Sequence, residues 1–113
     1  MGMFSGKREY DVHQLGYFMK IVRHLEWIIQ NGGVDMKEKA EYYLCVFKGA
    51  YNHPLEDGPE RYLSKEDVKT MIRLFEHEAK MRVPEDTTDD AKYQHLCAMC
   101  DIEDILENLR NLR

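Results

Sequence analysis

No run of about 18 uninterrupted apolar residues occurs in this chain, so nothing in it reads as a membrane span. No basic-then-apolar leader opens it. The opening Met1-Gly2 resembles a myristoylation signal, but Gly6 stands where Ser or Thr is wanted. A basic excess is lacking too: 16 Lys and Arg face 21 Asp and Glu, a net charge of −5. Residues 1–52 hold 7 basic and 6 acidic groups and residues 53–113 hold 9 and 15, so the deficit lies in the second half. An acidic chain without a basic run is a poor general binder of nucleic acid. Three cysteines cannot all pair within one chain, so reduced thiols and a cytoplasmic setting are expected. Also absent are a glycine-rich phosphate loop, a nucleophile elbow, a His-Glu metal motif, β-hairpin signals and repeats. Nothing in the sequence nominates a catalytic residue or a cofactor.

What is present is a helical pattern. At 113 residues, 43% apolar and 33% charged, the chain has the makings of one folded domain over 1–113, with 1–7 as an N-terminal arm. The first helix is expected from about Arg8 to Asn31, ending at Gly32-Gly33. Its seam is Leu15, Phe18, Val22, Leu25 and Ile29, a 3-4-3-4 spacing, widened by Ile21 and Ile28. The second is expected to start with an Asp35/Glu38 capping box, with a seam of Met36, Ala40, Tyr43, Phe47 and Ala50. Ser64 and Asp67 open the third, which buries Val68, Met71, Ile72, Phe75 and Ala79. Thr87 or Thr88 caps the fourth.

The first two helices, and the last two, are joined by short connections that force antiparallel hairpins. The middle connection, from Asn52 to Leu63, is long for a bundle and either crosses its end or forms a binding loop. The expected fold is all-α: a four-helix antiparallel, up-down-up-down bundle.

The final helix poses a question, because His95, Cys97 and Cys100 carry the spacing of a metal knuckle or a redox dithiol. Projected at 100° per residue, Ala91, His95, Ala98, Ile102, Ile105, Leu109 and Leu112 share the core seam. Cys97 and Cys100 fall on the opposite side with Tyr93 and Leu96. His95 and Cys97, two positions apart, point away from each other and cannot share an ion on a continuous helix. The thiols therefore read as helix residues on a second apolar stripe, expected to be covered by another chain, the alternative being the N-terminal arm or the long loop.

The first helix also carries a second stripe: His13, Tyr17, Lys20, His24 and Trp27. Tyr and Trp are enriched at interaction hot spots, and Lys and His add positive charge. His13 and His24 lie about 16 Å apart on a continuous helix, too far to share a metal.

In the second helix, Cys45-Val46-Phe47-Lys48-Gly49-Ala50 resembles the core of a histidine phosphotransfer domain. That family carries His-x-x-Lys-Gly-[Ser/Ala] on an exposed face of a four-helix bundle. Lys48 and Gly49 match, while Cys45 replaces the phosphoryl-accepting histidine. The resemblance covers six residues and implies a homologue able to dock but unable to transfer phosphate. Separately, Glu38 with Glu41, and Asp101 with Asp104, are i, i+3 carboxylate pairs. On facing helices such pairs hold Mg²⁺ in all-α nucleotide hydrolases, although both pairs here sit away from their core seams.

The leading expectation is a non-enzymatic, cytoplasmic bundle with a regulatory or adaptor role. It would bind a protein partner or itself as a homodimer, through His13, Tyr17, Lys20, His24, Trp27, Tyr93, Leu96, Cys97 and Cys100. The alternative is a small-ligand or nucleotide-binding protein, extending to a Mg²⁺-dependent all-α nucleotide hydrolase.

Overall fold

Gly16 and Tyr17 decide where the first helix starts. Both occupy left-handed backbone, with φ of 78° and 54°, and a right-handed helix cannot run through two such residues. In the computed structural model, which describes residues 10–52, 62–82 and 88–112, α1 is Phe18–Asn31. It therefore begins well after the position that apolar spacing alone suggested. Ahead of it, β1 (Tyr10–Asp11) pairs antiparallel with β2 (Tyr62–Leu63), Tyr10 opposite Leu63. A single 3-10 turn, Val12–Gln14, follows β1, and its cap is the Asp11 carboxylate accepting from the His13 N–H at 2.9 Å. This small ribbon had no signal in the sequence. Val12, Leu15 and Leu63 from it are buried against the helices.

The Gly32-Gly33 stop holds. The Gly32 N–H donates to the Ile28 carbonyl, and a Cβ on Gly32 would sit 2.7 Å from that same oxygen. Only glycine fits so close an approach. α2 (Val34–Asn52) starts one residue before Asp35, and Lys37 N–H donates to the Gly33 carbonyl at 2.8 Å. Asp35 thus lies in the first turn, where its charge favours the helix dipole, instead of capping it. α3 (Lys65–Met81) opens on the expected capping box. The Ser64 hydroxyl accepts from Asp67 N–H at 3.1 Å, and the Asp67 carboxylate accepts from Ser64 N–H at 3.0 Å. α4 (Asp89–Asn111) is capped by Thr88, whose hydroxyl accepts from Ala91 N–H at 3.2 Å. The arm 1–7 and most of the 52–63 connection lie outside the described residues.

The core is filled by the seams. Ile21, Leu25 and Ile28 of α1 meet Ala40 and Phe47 of α2, Val68, Met71 and Phe75 of α3, and Ile102, Ile105 and Leu109 of α4. Each large aliphatic or aromatic side chain so buried contributes about 1.5–3 kcal/mol. This is the all-α four-helix fold that the spacing requires. Phe18 at the start of α1 packs on Phe47 and Tyr51 towards the end of α2, with ring centroids 5.1 and 6.3 Å apart. Asn108 of α4 donates its side-chain N–H to the Leu15 carbonyl, and the Tyr10 hydroxyl donates to the Leu112 carbonyl. The first part of α4 is different. Ala91, His95 and Ala98 are only half-buried, and its fully buried residues begin at Ile102. Among the described residues, no helix is long and apolar enough to cross a membrane.

Candidate functional site

Lys20, His24 and Trp27 succeed one another at helical spacing on the side of α1 that meets α3 and α4. His24 is 5% exposed, so it belongs to the interior. Its Nδ1 lies 2.7 Å from Oε2 of Glu78 on α3, and its Nε2 lies 3.3 Å from Oδ2 of Asp101 on α4. Glu78 is fully buried. Its Oε2 also accepts from Arg82 Nε–H at 2.7 Å, four residues on, while its Oε1 has no hydrogen-bond partner among the described residues. The other Asp101 oxygen lies 3.2 Å from Lys20 Nζ, which also reaches Asp104 at 3.9 Å.

A buried carboxylate without partners costs several kcal/mol, which explains why a histidine and an arginine converge on Glu78. The His24 ring thus bridges the two carboxylates, one nitrogen to each. Burial alone raises the Asp101 carboxyl, but hydrogen bonds from His24 and Lys20, helped by their charge, outweigh it. The carboxyl is held below the usual carboxylate range.

Beside this network lies a cavity of about 310 Å³, open to solvent and lined by Arg23, His24, Trp27, Arg82, Tyr93, Gln94, Cys97, Ala98 and Asp101. The Arg82 guanidinium stacks over the Trp27 ring, 4.1 Å from its centroid, a cation–π contact. Tyr93 and Cys97 stand one turn apart on α4, and interaction with the neighbouring thiol pushes the Tyr93 hydroxyl up.

The nine residues expected to bind a partner are distributed unevenly. His13 and Tyr17 precede α1, so they do not continue its stripe. Both are exposed, His13 stacked near Phe18 and Tyr17 lying under Lys20 Nζ, which is 5.3 Å from its ring centroid. His24 is in the interior, because it lies three residues after Ile21 and four before Ile28, within the apolar arc that faces α3 and α4. Trp27 is half-buried beneath Arg82. Tyr93 and Leu96 are 69% and 60% exposed, and Cys97 and Cys100 are exposed beside them. Trp27 on α1 and Tyr93 and Cys97 on α4, expected to form two separate surfaces, line one cavity.

Compared with family models, curated proteins and solved structures, the chain matches none.

The chemistry of the site therefore rests on its own geometry. Among the described residues, no group of three or more His, Cys, Asp or Glu is placed to hold a metal. Glu38 and Glu41 are exposed on α2, while Asp101 and Asp104 face Lys20. Cys45 and Lys48 are exposed on α2, with Lys48 Nζ 3.8 Å from Glu26, and Cys45 still stands where a phosphotransfer domain has its histidine. Sequence reasoning missed Glu78 and Arg82. A signal for the first was present: Met71, Leu74, Phe75 and Glu78 step 3, 1, 3, which puts a carboxylate on the buried arc of α3, with Arg82 one turn further on.

Proposed function

We propose that this chain is a non-enzymatic, cytosolic binding protein with a regulatory or adaptor role, working by docking a protein on the outer face of α4. The observation that supports it is the exposure of Tyr93 at 69% and Leu96 at 60%, flanked by the exposed Cys97 and Cys100. Soluble monomers seldom keep such an apolar stripe wet unless it serves binding. Three free thiols suit a reducing compartment. Self-association through this face is the form tested first, by sedimentation of wild type and Leu96→Glu. A wild-type dimer that becomes a helical monomer on substitution supports it. A monomeric wild type transfers the face to a different partner protein. A variant that unfolds shows that Leu96 belongs to the core.

The cavity between α1 and α4 favours a second reading, a small-ligand or nucleotide-binding protein. Under that reading alone, nucleotide with Mg²⁺ raises the melting temperature.

A further inference from the structure

Arg23 lines the cavity, is exposed, and has no charged or hydrogen-bonding partner among the described residues. Arg82 gives only its Nε–H to Glu78, so its two Nη groups have no acceptor among the described residues. Asp101, on the opposite wall, has both oxygens committed, one to Lys20 and one to His24. Lys20 is paired with Asp101 and Asp104, and Arg82 with Glu78, so Arg23 is the cation of this wall left for a ligand, in a chain whose net charge is −5. One such guanidinium suits a monoanion, because a second negative charge would meet the Asp101 carboxylate. Trp27, Tyr93, Cys97 and Ala98 give the wall its apolar part, with Gln94 among them. At about 310 Å³ the space is at the small end of ligand pockets.

We propose that this cavity binds a monocarboxylate with a flat apolar body, its carboxylate held by Arg23 and the Nη groups of Arg82 and its body against Trp27 and Tyr93. Arg82 is set for this before any ligand arrives: Glu78 fixes its Nε and Trp27 fixes its plane, so little freedom is lost on binding. The site goes beyond the docking role of α4, with which it shares Tyr93 and Cys97.

Trp27 is the single tryptophan of the chain, so its emission reports this cavity and no other place. The test titrates the full chain with phenylacetate, 2-phenylethanol and inorganic phosphate while following that emission. The expected result is a saturable change with phenylacetate, at least tenfold weaker in Arg23→Gln, as the loss of one charge-assisted hydrogen bond implies. Because Arg23 is exposed, that variant keeps its far-UV spectrum. The tripeptide Gly-Gly-Phe presents the same chemistry on a chain end. Tighter binding by it assigns the site to the C-terminus of another chain, and tighter binding by phenylacetate assigns it to a free acid. The proposal is overturned by no saturable change with phenylacetate, by equal binding of 2-phenylethanol, by tighter binding of phosphate, or by undiminished binding in Arg23→Gln.

Discussion

The Tyr43 hydroxyl donates at 3.0 Å to Asp67, the residue whose carboxylate also closes the N-terminus of α3. One carboxylate thus caps a helix and anchors the preceding one. Burial first, and then the hydrogen bond and charge of Asp67, push the Tyr43 hydroxyl well above its ordinary value. Ionisation is resisted in the folded chain, so the stabilisation is complete below about pH 10, the unfolded value, and is lost as pH rises beyond it. Urea unfolding followed from pH 8 upward is expected to show stability falling past about pH 10. Tyr43→Phe should flatten that fall while costing about 1 kcal/mol at pH 7.

Glu78→Ala is expected to be the most damaging single change at the site, costing about 3–5 kcal/mol. It leaves His24 Nδ1 and Arg82 Nε without their acceptor, with His24 only 5% exposed. Chemical denaturation measures the loss. A cost below about 1 kcal/mol would show that the network relaxes freely and does not hold α1 to α3.

Asp101→Asn separates charge from shape. The wild-type carboxyl is held low by His24 and Lys20, so its contribution is present above the unfolded value of about 4 and disappears as pH falls through the folded value. The variant should be less stable at pH 7, and its stability should fall less between about pH 5 and pH 2 than that of wild type. Thermal melts across that range check both.

Gly49→Ala tests local helix physics alone. Gly49 lies inside α2, and a Cβ there meets nothing within 4 Å. The substitution should stabilise the chain by about 0.5–1 kcal/mol, read from the urea midpoint at unchanged slope.

How far the sequence reveals this molecule differs from element to element. Ser64 and Asp67 announce the start of α3 because a capping box is a local contact between residues three apart. The 3-4 spacing of Ile102, Ile105 and Leu109 announces the buried face of α4 for a similar reason. The start of α1 was obscured by Tyr17, whose left-handed backbone is rare for such a residue and leaves no mark on apolar periodicity. The site is harder still. His24 lies on the border between the buried arc of α1 and its polar flank, and only the arrival of Glu78 and Asp101 from other helices decides which side it joins. Ion pairs between helices follow from tertiary packing, and single-helix projection holds no information about them.

His24 and Asp101 are 77 residues apart in the chain, so during synthesis the histidine leaves the ribosome long before its partner exists. α1 and α2, joined through two glycines, are the first pair able to collapse. Their hairpin would have to wait with an imidazole directed at a place that α3 and α4 have yet to fill. The same holds for the Leu15 carbonyl, whose donor Asn108 lies 93 residues further on. Such long-range closure slows folding and keeps the nascent hairpin open to other partners. The final helix therefore acts as the bolt of the structure: until it arrives, the earlier helices have no complete interior to settle into.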